Sequence, residues 1–280
     1  MRAPADLPRA ETAQQVVRGS RSLTARMLSF TAMEVSPETL VREVVLHVPG
    51  GVAAMEKHHI DYCCGGAKTL RQVATELGLR VEWVLDTIAR EREGGEVPDA
   101  QLLEVPLSQL VTQLVDGHHA TSREAAESLR ALARTAIEAH PDRPELVTIG
   151  AHVEKLFAAL LPHLVHEERN LFPYVRDLDR AAATPGAPMP VALFETIRHV
   201  LDDMEHEHER CDLELQAMRA LTQDYAMDDA TPPAVRALYE ALDAHEKDLI
   251  RHMHLEGNVV FPRAERLEVK VKSRAPTRRR

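Results

Sequence analysis

Aromatic side chains are scarce in this chain: one Trp, five Phe and four Tyr make up 4% of its 280 residues. β-Branched runs are also few, while Ala, Leu, Glu and Arg dominate, which leaves helix as the expected element. Cysteine is scarce too. Three Cys, two of them adjacent, exclude a multi-bridge secreted framework and fit a reducing, cytoplasmic setting. No apolar run approaches the length of a membrane span, so no membrane association is expected. The start Met1-Arg2-Ala3-Pro4-Ala5-Asp6 has no apolar region behind its Arg, so no signal peptide is expected either. A positive excess is missing as well: the formal net charge of -10 argues against nucleic acid as a partner. Only the C-terminal residues 268–280 are basic, and they read as a short disordered tail.

Histidine is what the chain has in plenty, fifteen against 34 Lys and Arg. Most must lie on the surface, so the question is which few do not. Residues 1–34 have no sustained period and read as a loose extension. Residues 35–95 read as a small helical domain, opened by Ser36-Pro37 as N-cap and first helical residue. Residues 96–104 read as a flexible linker, preceded by Gly94-Gly95. Residues 105–267 carry four long amphipathic segments, from about 106 to 140, 145 to 182, 190 to 225 and 233 to 267. Segments of that length make helices of roughly 45 Å. The expected fold is therefore all-α, an up-down-up-down four-helix bundle preceded by a small helical domain.

An internal repeat singles out the histidines. His163-Leu164-Val165-His166-Glu167 leads to Leu171-Phe172-Pro173, and His252-Met253-His254-Leu255-Glu256 leads to Val260-Phe261-Pro262, 89 positions later. The same step links His119 to His208. Each half thus offers one His on one helix and His-x-x-x-Glu on the next. Residues i and i+4 share a helix face, so His163 and Glu167 point together, as do His252 and Glu256. Four imidazoles and two carboxylates then meet inside the bundle. Two buried carboxylates repel unless cations lie between them. Two metal ions bridged by Glu167 and Glu256 remove that cost and use all six groups. The donor set suits iron, with zinc, manganese and copper as substitutes. Six protein ligands leave coordination positions open. A ferritin-like site would want two Glu-x-x-His motifs, and only Glu205 with His208 offers one. His118, His166, His206 and His254 point elsewhere on their helices and are expected at the surface. His140 sits at a helix C-terminus, where a cation caps favourably, and is a further candidate for the site.

Residues 36–267 resemble the repair-of-iron-centres family, bacterial di-iron proteins with a hemerythrin-like bundle. The string Ile60-Asp61-Tyr62-Cys63-Cys64-Gly65-Gly66 is specific for that family's small N-terminal domain. The two His-x-x-x-Glu…Phe-Pro motifs are shared more widely among hemerythrin-like proteins. The resemblance implies two iron ions per chain, held by His119, His163, His208 and His252, with Glu167 and Glu256 as bridges. It also places His140 where the family has a His near the centre. The implied function is repair of iron–sulfur clusters damaged by nitric oxide or peroxide, through iron donation or nitric oxide chemistry. The implied partners are damaged iron–sulfur proteins as clients, nitric oxide or oxygen as small ligand, and an unidentified electron donor. A homodimer is in keeping with the family. Readings that remain open are a nitric oxide reductase or peroxide scavenger, an oxygen or nitric oxide sensor, and a metal-free helical scaffold. Gly257 and Cys211 depart from the family pattern, and Cys211 reads as a buried small hydrophobe.

Cys63 and Cys64 are candidates for redox, nitrosyl or iron transfer. The two glycines after them allow a sharp turn, and a helix N-terminus nearby would favour thiolate. Such thiolates would receive a nitrosyl group, pass iron on, or close into a vicinal disulfide. The alternative is two buried thiols in a tight turn.

Overall fold

A computed structural model describes residues 33–96, 98–184, 187, 190, 191, 194 and 196–274. The expected extension at 1–34 lies almost wholly outside the described residues, as do residues 275–280 of the tail. The described residues contain helices and no strand beyond one isolated bridge between Leu40 and Thr69. Among them, no helix is long and apolar enough to cross a membrane.

Four short helices come first: α1 (Val41–His47), α2 (Gly51–Lys57), α3 (Leu70–Glu76) and α4 (Val81–Arg92). Thr69 opens α3 with a reciprocal cap, its hydroxyl accepting from the Gln72 amide while the Gln72 side chain accepts from the Thr69 amide. Val41, Val44, Met55, Leu70 and Val84 are buried between these helices. The Cys-Cys-Gly-Gly string forms the turn between α2 and α3.

Four rods follow, and three of them are interrupted by a wider, π-helical turn. The first is α5 (Leu107–Leu114), the π turn Val115–His119, and α6 (Ala120–Ala139). The second is α7 (Pro144–His166), the π turn Glu167–Leu171, and α8 (Phe172–Ala183). The third is α9 (Ile197–Thr222), unbroken, and closed by Gln223, Asp224 and Tyr225 in the left-handed region. The fourth is α10 (Pro233–His254), the π turn Leu255–Val260, and α11 (Phe261–Arg274). Pro173 and Pro262 explain two of the interruptions. Proline has no N–H for the carbonyl four residues back, and the ladder widens just before it. α6 packs on α7 and α10, α7 on α9, and α8 on α5 and α11.

The core has two apolar clusters. One gathers Leu129, Leu156, Leu160, Leu215 and Leu242 from α6, α7, α9 and α10. The other gathers Leu110, Leu114, Phe172, Met204 and Phe261 from α5, α8, α9 and α11. Between them the rods bring their π turns level.

Two segments differ from expectation. The linker is held rather than free: it forms a 3-10 turn, Asp99–Leu103. Asp99 is buried in it, pairing with Arg251 and accepting from His254 Nε2 at 3.1 Å. The basic tail is helical as far as Arg274, because Val271 and Glu268 find buried places against α8. Tyr174 donates to Glu268 at 2.7 Å. With both segments tied in this way, the described residues from Glu34 onward make one compact unit.

Candidate metal centre

The centre lies where the rods bring their π turns level. His119 ends the first π turn, Glu167 begins the second, and Glu256 lies in the third. π turns recur at functional sites because the extra residue re-aims side chains that a regular helix would send elsewhere. All six predicted side chains meet here, none more than 3% exposed. They make two groups that share both carboxylates: His119 with His252, and His163 with His208.

Glu167 Oε2 is 3.4 Å from Nε2 of both His119 and His163. Glu256 divides its oxygens. Oε1 is 2.8 Å from His252 Nε2 and 3.8 Å from His119 Nε2, whereas Oε2 is 3.1 Å from His208 Nε2. Each carboxylate therefore faces both imidazole pairs. His119 Nε2, both oxygens of Glu167 and Glu256 Oε2 have no hydrogen-bond partner although buried. Orphaned acceptors at zero exposure are costly, and cations satisfy all of them at once. The donor set fits transition-metal ions of the iron and zinc type. The protein thus has a buried His/Glu cluster of metal-binding character.

Electrostatics in the metal-free cluster point the same way. Burial presses the His119 imidazole downward, but Glu167 and Glu256 outweigh it and raise it to about 10. Burial likewise opposes a charged His163, yet Glu167, Glu207 and Glu256 lift it to about 9. His252 is pushed down by burial. Glu256 is held well below the usual carboxylate range despite burial, by His252, His119 and His208.

A supporting shell was not read from the sequence. His119 Nδ1 is 2.7 Å from Glu168, which Arg123 also contacts at 2.9 Å. His163 Nδ1 is 2.7 Å from Glu207. A carboxylate on Nδ1 fixes the tautomer that turns Nε2 toward a metal. The signal was available, since each carboxylate is sequence-adjacent to a ligand, Glu167 or His208. The repeat does not carry this shell to the other two histidines. The counterpart of Glu207 is His118, which stacks on His252 at 5.8 Å and is pinned by Asp248 at 2.8 Å. The counterpart of Glu168 is Gly257, which has no side chain to accept a hydrogen bond. The repeated Phe-Pro does have a matched use: Phe172 packs on His119 at 5.6 Å, and Phe261 on His208 at 6.0 Å.

Other histidines divide. His140 is not brought to the cluster. It is the C-cap of α6, and twenty-one helical residues from His119 is about 30 Å. His206 is exposed, and His118 and His166 are half-buried, near their expected surface positions. His254 is a correction. It is fully buried, bonded to Asp99 and Asn258 and edge-on to Tyr62, because the small domain covers that face of the fourth rod. His245, unremarked in the sequence, lies buried beside Phe157 with both ring nitrogens unpartnered, and burial pushes it down to about 4.

Cys63 and Cys64 lie on the turn before α3, their sulfurs 3.6 Å apart. Contact with Cys64, burial and the nearby Asp61 hold the Cys63 thiol well above its ordinary value. Cys211 is buried as expected, its thiol pushed up to about 12 by burial.

A family model described as the hemerythrin HHE cation binding domain matches residues 110–264. A second, described as a domain of unknown function (DUF542), matches residues 37–91. Among curated relatives, the probable iron-sulfur cluster repair protein of Haemophilus influenzae is 27% identical over 228 residues, covering 79% of this chain and 94% of its own. Iron-sulfur cluster repair protein YtfE of Musicola paradisiaca is 29% identical over 238 residues, 82% of this chain and 98% of its own. The protein of that name from Yersinia pseudotuberculosis is 28% identical over 230 residues, 80% and 96% of the two chains.

Proposed function

The chain belongs to the hemerythrin HHE cation-binding domain family, and on that premise we propose that it is a di-iron protein that helps restore damaged iron–sulfur clusters. The observation that carries the proposal is the pair Glu167 and Glu256, fully buried, short of hydrogen-bond donors, and each facing both imidazole pairs. His119 and His252 would hold one iron, His163 and His208 the other, with Glu167 and Glu256 between them. The repair role is drawn from the names that the curated relatives carry over most of their length. The three free cysteines agree with a reducing cytoplasm.

When bound, the ions supply Lewis acidity and open positions for a small ligand such as nitric oxide or oxygen. The residues of the chain do the rest. Glu168 and Glu207 hold the Nδ1 protons of His119 and His163 and so keep both Nε2 atoms inward. The two apolar clusters keep bulk water from the centre. Two carboxylates that face both ions would allow one ion to leave while its partner stays bound, as iron donation requires. Residues 105–267 would carry the centre and residues 35–95 the contact with clients.

The test is repair itself. Apo-protein is loaded anaerobically with ferrous iron and added to a [4Fe–4S] dehydratase inactivated by nitric oxide. The loaded wild type restores activity, and Glu167→Leu and Glu256→Leu do not. Equal restoration by these variants would refute the role of the centre.

A further inference from the structure

Outside the bundle centre, one further group of metal-ligating side chains converges among the described residues: Asp61, Cys63 and Cys64. The sulfurs are 3.6 Å apart, and Cys63 Sγ is 3.1 Å from Asp61 Oδ1. A tetrahedral ion with metal–sulfur bonds of about 2.3 Å separates two thiolates by roughly 3.8 Å. The observed spacing is close to that edge. The turn is built to hold it: the amides of Cys63 and Cys64 both donate to Asp61 Oδ1, at 3.0 and 2.9 Å. Gly65 lets the chain fold onto the same residue, since a Cβ there would meet Asp61 O at 2.5 Å and Asp61 Oδ2 at 3.2 Å.

The surroundings favour a cation. The group borders a cleft of about 780 Å³ between the small domain and α9 and α10, lined by seven acidic side chains against three Lys or Arg. Asp212, across from Asp61, is pushed up to about 6 by burial and by the charge of Asp61. The neutral, buried Cys63 is a poor nucleophile as it stands. A bound cation reverses that, because a coordinating thiol loses its proton outright.

The group also abuts the bundle centre. Asn258, two residues after Glu256, donates to the Tyr62 carbonyl at 2.7 Å. A Cβ on Gly257 would meet the Cys63 carbonyl at 3.1 Å, so the missing side chain makes room for this turn. Cys63 packs in the same apolar cluster as Cys211, one turn from His208, and Cys64 lies against that cluster.

We propose that Asp61, Cys63 and Cys64 form a second metal site, which binds one thiophilic divalent cation reversibly beside the bundle centre. Binding displaces the two thiol protons to solvent, and no electron is transferred. The three protein ligands leave one position for water or for a ligand arriving through the cleft. The site rests on its own geometry and stands whether or not the bundle holds iron.

Cobalt(II) is the probe, titrated anaerobically into the full-length chain with a non-thiol reductant present. The site predicts a near-ultraviolet thiolate-to-cobalt charge-transfer band that saturates at one ion per chain. Cys63→Ser and Cys64→Ser each abolish the band yet leave the visible absorption of cobalt bound by imidazole and carboxylate in the bundle. Asp61→Asn retains the band but shifts its saturation to higher cobalt. Zinc added to the unaltered chain slows alkylation of Cys64, a measurement that needs no variant to fold. Loss of the band in Cys211→Ser with retention in Cys63→Ser overturns the site. So does a wild-type chain with bundle absorption, no charge-transfer band and no protection of Cys64. Loss of the bundle absorption alone counts against the di-metal centre and leaves this site intact.

Discussion

Replacing Glu168 by Leu removes a carboxylate that touches no proposed metal, and so isolates the supporting shell. Glu168 accepts from His119 Nδ1 at 2.7 Å and is itself fixed by Arg123 at 2.9 Å. Leucine keeps the bulk of the stem but accepts nothing, leaving a buried Nδ1–H unpaired and the ring free to turn. Losing such a partner weakens metal binding by about 10–100-fold, about 1.4–2.7 kcal/mol. The effect falls on the ion of His119 and His252, since His163 has Glu207 for its own support. Ferrous iron is titrated anaerobically against a competing chelator, with both stoichiometry and affinity read out. Glu168→Leu retains two ions, one of them weakened. Glu207→Leu weakens the other, and the double variant weakens both. Glu167→Leu, which removes a group facing both imidazole pairs, loses two-ion binding altogether. The exposed Glu127→Leu behaves as wild type. Wild-type affinity in Glu168→Leu, or a loss as complete as that of Glu167→Leu, would refute the reasoning.

Other consequences follow from the same geometry. His119 and His163, raised to about 10 and about 9, hold a proton each in the metal-free protein at neutral pH. Their contribution to the metal-free fold is complete below about pH 6.5 and fades as pH rises through 9 to 10. Metal binding at pH 7 should therefore release about two protons per chain, read with an indicator dye in weak buffer; no release would contradict the assignment. His245 has the opposite sign. Its folded value near 4 lies below 6.5, so the unfolded chain takes the proton first, and stability falls between those pH values as pH falls. The full gap corresponds to about 3 kcal/mol. His245→Leu, which puts the residue of the repeat partner Leu156 there, should flatten that slope and raise the melting temperature at pH 5; an unchanged slope would exclude His245 as its source. Gly257→Ala should gain about 1 kcal/mol by helix propensity but lose about 1–3 by overpacking against the Cys63 carbonyl, 3.1 Å from the new Cβ. The expected result is no gain in melting temperature and faster alkylation of Cys64. A full gain of 1 kcal/mol would mean that the turn yields freely.

The architecture was legible because helical period and punctuation are local. Pro144 and Pro233 lie at rod starts that the periodicity already indicated, whereas the third rod opens at the Thr196 cap, some residues after the expected start near 190. The meeting of the six side chains was legible through the 89-residue repeat, since two copies of one spacing leave little room for accident. What stayed hidden depends on contacts between distant segments. His254 looked solvent-facing because a helical wheel does not include the small domain, which brings Tyr62 and Asp99 onto it. The linker looked free because the partners of Asp99, Arg251 and His254, are some 150 residues away. The tail looked disordered because its basic residues mask Val271 and Glu268. The π turns shift the phase by one residue at the ligands themselves, so Glu168 reaches His119 from a position that a regular helix would turn away. For Cys63 the hidden part was its surroundings: contact with Cys64, burial and the carboxylate of Asp61 raise its thiol, and none of these is visible in the string itself.

The central claim is that Glu167 and Glu256 lie between two iron ions, and metal analysis of anaerobically purified protein tests it most directly. Elemental content joined to Mössbauer spectroscopy should find about two irons per chain in one coupled, carboxylate-bridged pair, reduced to one or none in Glu256→Leu. Zinc in place of iron, uncoupled single irons, or a metal-free protein of unchanged stability would contradict the account.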